Sequence, residues 1–80
     1  MFFVYILECS DKSLYTGITN DIEKRLLKHS IGKGSKYVRS RLPFKLVHKE
    51  IYDTKSEAMK REIEIKKLSK KEKLFIIFDN

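Results

Sequence analysis

Two tyrosines, Tyr5 and Tyr15, lie ten residues apart in stretches rich in apolar residues, and Gly17 follows the second. Glycine inside a strand adds no packing and often marks a place where a ligand or another backbone comes close. A phenol near a cation can lose its proton and then accept one from water. The tyrosines are therefore candidates for acid–base chemistry, and Gly17 is expected to let a substrate or a neighbouring strand approach them.

An arginine and a histidine follow, one helical turn apart. Arg25 and His29 flank the apolar stripe of Ile22 and Leu26, so both are predicted on the inward side of a helix. Residues four apart share a helix face and can meet one ligand. The alternatives are a hydrogen-bonded histidine at the edge of the core and an arginine whose stem packs while its head stays in water.

A carboxylate falls within the apolar arc of a later helix. Glu62 lies at helical spacing among Met59, Ile63 and Ile65. An ionised carboxylate is costly to bury unless a cation or several donors meet it. Two solutions stay open: an ion pair with Lys66 at i+4, or a divalent metal, since Mg²⁺ is commonly held by one or two carboxylates with waters and phosphates.

These side chains are together the parts needed to hydrolyse a phosphodiester. A metal polarises the phosphate, the planar fork of an arginine offsets transition-state charge, and a phenol handles the proton of the attacking water. The residues therefore predict a phosphodiesterase with Tyr5, Tyr15, Arg25 and His29 in catalytic roles. Glu62 is the predicted ligand of a divalent ion, Mg²⁺ with Mn²⁺ as a substitute.

The elements that must position these residues follow from apolar periodicity and helix-capping patterns. Strands are predicted over Phe2–Cys9, Ser13–Thr19 and Phe44–Tyr52. Helices are predicted to begin at Asn20, Thr54 and Ser69, the first two ending near Ser30 and Leu68 and the third running through LFIIF. The order ββαβαα predicts one α+β domain over residues 1–80, a small three-stranded antiparallel sheet flanked by three helices.

Charge narrows the class of partner. Eighteen Lys and Arg against eleven Asp and Glu give a net charge of +7 on 80 residues. A polyanion is the expected partner of so small and basic a domain, the alternative being a lysine-rich solvated surface. No apolar run is long enough to cross a bilayer, the start does not resemble a signal peptide, and the lone Cys9 suits a core position. A cytoplasmic monomer that binds no membrane is expected.

Four segments in order resemble the GIY-YIG nuclease superfamily. VYIL with Tyr5 is similar to the first signature segment, and YTG with Tyr15 and Gly17 to the second. EKRLLKH supplies the helix arginine as Arg25, and SEAMKREIEIKKL places the metal-binding glutamate at Glu62. The chain most resembles the small stand-alone bacterial proteins labelled UPF0213. The resemblance implies metal-dependent cleavage of phosphodiester bonds and a preference for DNA.

The chain departs from the family pattern at two places. Phe3-Val4-Tyr5 stands where many members have Gly-Ile-Tyr, which keeps the phenol. Many members carry an asparagine about three turns after the glutamate, whereas here that stretch reads EKLFIIF and the next asparagine is Asn80. The second departure keeps open an alternative function, a non-catalytic nucleic-acid-binding module that retains the nuclease fold.

The segment GKGSKYVRSRLP, predicted to be a basic loop from Gly32 to Leu42 that ends at Pro43, is the predicted nucleic-acid-binding segment, because 80 residues leave no room for a separate DNA-reading domain. Its cations can neutralise phosphates and its tyrosine can stack on a base; the residues are Lys33, Lys36, Tyr37, Arg39 and Arg41. The alternative is a solvated basic surface. Phosphate contacts carry little sequence information, so binding is expected to be weak and structure-tolerant unless a partner protein adds selectivity.

Overall fold

The most apolar strand, β1 (Phe2–Cys9), is the central strand of a three-stranded antiparallel sheet in the computed structural model, which describes residues 1–78. The other strands are β2 (Leu14–Thr19) and β3 (Phe44–Tyr52), in the order β2-β1-β3. The helices are α1 (Ile22–Ser30), α2 (Lys36–Arg39), α3 (Lys55–Lys66) and α4 (Lys70–Phe78). The predicted α+β fold with the order ββαβαα is confirmed, with α2 as an added single turn.

Both faces of β1 are buried because helices cover both sides of the sheet. Val4 and Ile6 pack with Ala58 and Ile65 of α3, while Tyr5, Leu7 and Cys9 point the other way. That second face packs against α1, the segment around α2 and the start of β3. Successive side chains of a strand point to opposite faces, so β1 reads as a continuous apolar run rather than an alternating one. The polar residues of the site are thus divided between two sides of one sheet.

Side-chain caps fix where the helices begin. The Asp21 carboxylate accepts from the Lys24 amide, so Asp21 caps α1, one residue after the predicted position. The Thr54 and Ser69 hydroxyls accept from the amides three residues on, as predicted for α3 and α4. Such caps satisfy amides that have no partner within the helix.

The prediction of a loop from Gly32 to Leu42 is wrong over α2. Ser35 has extended backbone and its hydroxyl accepts from the Val38 amide, which closes one helical turn. Val38 is fully buried against the Tyr5 face of the sheet, so packing supports the turn. Tertiary contact therefore gives a short helix where glycine and charge predicted none.

None of the helices in the described part of the chain is long and apolar enough to cross a membrane.

Candidate active site

The side chains of the other predicted catalytic residues lie around the phenol of Tyr5. Tyr5 projects from β1 and is fully buried, and its Oη lies 2.8 Å from Nε2 of His29 on α1. Arg25, one turn earlier on the same helix, donates from Nε to the same oxygen at 3.4 Å. The ring of Tyr15 on β2 lies 6.4 Å from that of Tyr5 and 5.5 Å from that of His29. The fold thus brings together all four side chains.

Burial sets the protonation of this cluster. It raises the pKa of Tyr5 above its ordinary value, and this outweighs the hydrogen bond from Arg25. Burial, together with the Arg25 cation, lowers the pKa of His29, which is therefore neutral at pH 7. A protonated Tyr5 donates to Nε2 of a neutral His29, whose own proton then sits on Nδ1. The free protein holds a phenol, not a phenolate, at the centre of the site.

Two glycines make room for the buried rings. Gly17 is paired with Tyr5 across the β1–β2 ladder, and a Cβ there would overlap the Tyr5 hydroxyl. A Cβ on Gly34 would likewise collide with the His29 ring, approaching its Cγ to 2.8 Å. Of the two expectations for Gly17, the approach of a neighbouring strand is the one observed: the glycine is buried and Tyr5 fills the space before it. Its contact with nucleic acid stays a prediction.

Glu62 lies on the inward face of α3, as predicted, but the apolar arc around it is narrower than predicted. Ala58 and Ile65 are buried, whereas Met59 and Ile63 are 44% and 51% exposed. The Glu62 side chain is 17% exposed, and its Oε2 lies 3.5 Å from Nζ of Lys66. The ion pair expected as one alternative is therefore present, although Lys66 is about half-exposed and exposed pairs at i+4 contribute little to stability.

A divalent ion at Glu62 would need further ligands besides this carboxylate. Glu62 belongs to α3, which packs against the sheet face opposite Tyr5, and its charge adds to the rise in the pKa of the phenol. Within residues 1–78, no group of three or more His, Cys, Asp or Glu could hold a metal. One carboxylate does suit Mg²⁺, which keeps several waters and takes further ligands from substrate phosphates. The residues thus fit an ion that shares its ligands with the substrate, not one held in a protein cage.

Tyr37 and Arg41 make contacts that differ from their predicted roles. The Tyr37 ring stacks on Tyr15 at 5.9 Å, and the Arg41 guanidinium lies 3.8 Å from the Tyr37 ring centre. Arg41 also donates to the Asp11 carboxylate at 3.1 Å and to the Tyr37 carbonyl oxygen. Tyr37 therefore packs on Tyr15 while staying 37% exposed, and its stacking on a base stays a prediction. Arg41 pairs with the half-exposed Asp11 carboxylate, and its contact with phosphate stays a prediction.

The remaining cations of the predicted nucleic-acid-binding segment are open to solvent. Lys33, Lys36 and Arg39 are exposed, and none has an ion-pair partner among the residues that the structure describes. They line one cavity of about 440 Å³ together with Gly32, Gly34 and Ser35. Contact of these three side chains with phosphate stays a prediction.

The cluster that attaches α3 to the sheet was not predicted. Arg61 donates from two nitrogens to the two carboxylate oxygens of Glu50 on β3, at 2.9 and 3.1 Å. Tyr52 and His48 donate to the same carboxylate. Burial alone would raise the pKa of Glu50, but these hydrogen bonds hold it at about 2, and burial with the bond to Glu50 raises the pKa of Tyr52 to about 12. The alternation of His48, Glu50 and Tyr52 on one strand face was the available signal.

Arg61 directly precedes Glu62, so the Glu50–Arg61 pair fixes the rotation of the helix that carries the predicted metal ligand. Asn80, the next asparagine after Glu62, lies outside the described residues.

Comparison with known proteins identifies the family. The model of the GIY-YIG catalytic domain matches residues 1–74. A UPF0213 protein from Syntrophus aciditrophicus is 60% identical over 79 residues, covering 98% of this chain and 91% of that relative. Another from Staphylococcus saprophyticus is 55% identical over 75 residues, covering 94% and 92%. These names specify no substrate, metal or reaction.

The solved structures agree with the fold. The solution NMR structure of a UPF0213 protein from Bacillus halodurans has a TM-score of 0.63 at 49% identity, covering 96% of this chain and 83% of that one. A protein from E. faecalis, also solved by NMR, gives 0.62 at 39% identity, covering 92% and 80%. The domain implies nuclease-type activity on a nucleic acid, and nucleases of this kind generally use divalent metals. The chain belongs to the GIY-YIG catalytic domain family, among its small UPF0213 members.

Proposed function

We propose that this protein is a metal-dependent endonuclease that hydrolyses phosphodiester bonds in DNA, with little sequence specificity. The observation that carries the proposal is the Tyr5 phenol, held between the guanidinium of Arg25 and Nε2 of a neutral His29. A merely structural tyrosine needs one partner for its hydroxyl. This one has a cation on one side and a proton acceptor on the other, which suits the transfer of a proton.

Arg25 is the residue that meets the phosphate. Only its Nε is used within the described chain, so the two terminal nitrogens can form a forked contact with phosphate oxygens. The bond to Tyr5 is long at 3.4 Å and therefore weak, so Arg25 can turn toward a phosphate at small cost. That movement uncovers the phenol, which is fully buried in the free protein.

The proton of the attacking water passes through Tyr5. As Tyr5 Oη accepts that proton, its own proton moves to Nε2 of His29 along the existing 2.8 Å bond. Burial keeps His29 neutral and ready to accept it. Tyr15, half-buried and packed near both rings, bounds the space in which the water and the phosphate meet.

Glu62 is the residue that would hold a divalent ion. When bound, Mg²⁺ or Mn²⁺ supplies the positive charge that polarises the phosphate and stabilises the leaving oxygen. Lys66 must then release the carboxylate, which its partial exposure allows.

The test is cleavage of a panel of single-stranded, duplex, nicked and branched DNA, with the matching RNAs, in Mg²⁺, Mn²⁺ or EDTA. Wild type is expected to cleave DNA only with metal. Arg25→Ala, purified in parallel, is expected to cleave it at least 100-fold more slowly than wild type. Equal cleavage by both proteins would reveal a contaminating nuclease and remove the support for the proposal.

The alternative is a nucleic-acid-binding module without turnover. It is favoured by the Glu62–Lys66 pair, which already satisfies the carboxylate, and by full burial of both Tyr5 and His29. Binding of the panel without cleavage under any metal condition would establish this alternative.

A further inference from the structure

Positive charge is concentrated in one quarter of the chain. Between Ile22 and Arg41 there are seven Lys and Arg and a single carboxylate, Glu23, which is a net charge of +6 out of +7 for the protein. The remainder is nearly neutral. Since α1 and α2 pack on the same face of the sheet, this charge belongs to one side of the molecule.

Of the cavities near α1, two are each lined by three Lys or Arg side chains. The first, of about 180 Å³, is lined by Thr19, Asn20, Asp21, Lys24, Arg25 and Lys28. The second, of about 440 Å³, is the one formed by residues 32–36 and Arg39 just beyond the end of α1. Cations line both cavities, and α1 connects them.

Lys24 and Lys28 line the first cavity and belong to the helix that leads from it to the second. They are exposed, they lie four residues apart on one helix face, and neither forms an ion pair with any residue in the range 1–78. Like charges at this spacing repel each other, and an anion lying across both relieves the repulsion. Arg25, the proposed phosphate contact, lines the same cavity as both.

We propose that one strand of the nucleic acid lies along α1, with Lys24 and Lys28 as phosphate-binding residues. The strand passes from the phosphate at Arg25 to the phosphates bound by Lys33, Lys36 and Arg39. The identity of the polymer rests on the proposed function; the path rests on the cavities and the charge. A helix of nine residues is about 13 Å long, which is enough to follow more than one phosphate of a strand.

The test measures binding without turnover. Wild type, Lys24→Ala/Lys28→Ala and the control Lys67→Ala/Lys71→Ala are titrated with a labelled 20-base-pair DNA in EDTA at several salt concentrations. The control removes the same charge from Lys67, the residue that ends α3, and from Lys71 of α4, both helices lying on the other face of the sheet. Loss of two phosphate contacts should reduce the slope of log affinity against log salt by about 1.8, and the control should leave it unchanged.

An unchanged slope in Lys24→Ala/Lys28→Ala, or an equal reduction in the control, overturns the path. Cleavage is measured separately on the same proteins in Mn²⁺. If wild type binds with the expected difference in slope but cleaves nothing, the path stands and the endonuclease proposal fails. If wild type cleaves DNA and the slopes are equal, the endonuclease proposal stands and the path fails.

Discussion

At the scale of single residues, Tyr5 and Tyr15 differ in burial, although both lie in predicted strands and both were predicted to be catalytic. Tyr5 is fully buried and bonded to His29, whereas Tyr15 is half-buried and packs on other rings. Burial raises the pKa of Tyr5, so the free protein does not hold a ready phenolate. In the proposed mechanism, chemistry at Tyr5 therefore depends on movement of Arg25 and on proton acceptance by His29, so Arg25 is the residue at which we expect a conservative change to matter most.

Arg25→Lys is expected to lower turnover at least tenfold. Lysine keeps the charge but loses the planar fork that contacts a phosphate through two nitrogens. Single-turnover cleavage rates and thermal melts distinguish chemistry from folding, since the fold should persist. Arg39→Lys, at the exposed end of α2, is the matched control and should keep turnover within about twofold. A wild-type rate in Arg25→Lys would exclude Arg25 from the site.

Glu62→Gln is expected to separate metal response from folding. The glutamine keeps the shape but removes the charge that would hold the ion, and the pair that it breaks involves a half-exposed lysine. The metal-free melting temperature should therefore stay within a few degrees of wild type, while stabilisation by Mn²⁺ and cleavage vanish and DNA binding survives. Lys66→Met should leave the Mn²⁺ response intact. Retained cleavage in a destabilised Glu62→Gln would exclude the metal role.

At the scale of elements, the site depends on how closely β1 and β2 pair and on how α3 is attached to β3. The Tyr5 ring fills the space that a side chain at Gly17 would need. On the other face of the sheet, the Glu50 carboxylate accepts hydrogen bonds from Arg61, Tyr52 and His48. Both features are long-range contacts: the first positions Tyr5, and the second positions the helix that carries Glu62.

Gly17→Ala should destabilise the protein by about 1–3 kcal/mol, the usual range for overpacking a core. The new methyl group overlaps the Tyr5 hydroxyl, so Tyr5 must move away from His29. Urea denaturation measures the cost, and the added cost should be smaller in a Tyr5→Leu background because the overlapping hydroxyl and ring carbon are both gone. Full additivity of the two substitutions would contradict the overlap.

Acid should weaken the attachment of α3. The pKa of Glu50 is about 2 in the folded protein, against an ordinary value of 4.5. Glu50 therefore becomes protonated at a lower pH in the folded protein than in the unfolded chain. The stability it contributes, on the order of 3 kcal/mol, is complete above pH 4.5 and is lost as the pH falls toward 2. Urea denaturation at several pH values should show this loss in wild type and not in Glu50→Gln.

The control for acid sensitivity is Glu8→Gln. Glu8 pairs with Lys45, whose side chain is 71% exposed, so this pair should contribute little. Glu8→Gln is expected to retain the wild-type acid loss. The same loss in Glu50→Gln as in wild type would show that other groups control it.

At the scale of the whole molecule, the two faces of the sheet carry different properties. The face with α1 and α2 holds the phenol cluster and almost all of the net charge, while the other holds α3, α4 and the Glu50 cluster. A polyanion is attracted to the first face over distances set by ionic strength. Binding should therefore depend strongly on salt and on that face alone.

Replacing Lys36 and Arg39 together by alanine should flatten the salt dependence of DNA binding. Two lost phosphate contacts reduce the slope of log affinity against log salt by about 1.8. Competition binding at several salt concentrations measures it, with Lys67→Ala/Lys71→Ala as the control of equal charge. A slope equal to that of wild type would place the nucleic-acid-binding segment elsewhere.

The sequence by itself determined the elements and the candidates for chemistry. Strand Phe2–Cys9 and the caps Thr54 and Ser69 were predictable because apolar runs and side-chain caps act between near neighbours in the chain. The inward direction of His29 followed from helical spacing for the same reason. The net charge of the protein follows from its composition without any structure.

Only the tertiary structure decided which of these residues meet. Tyr5 approaches Gly17 closely, and Glu50 pairs with Arg61, although the members of each pair are distant in sequence. The helical turn at α2 depends on the burial of Val38, which is also a long-range contact. The same packing placed Tyr37 against Tyr15, a contact that the sequence did not predict. Such contacts depend on the distances between packed elements, which local propensity does not encode.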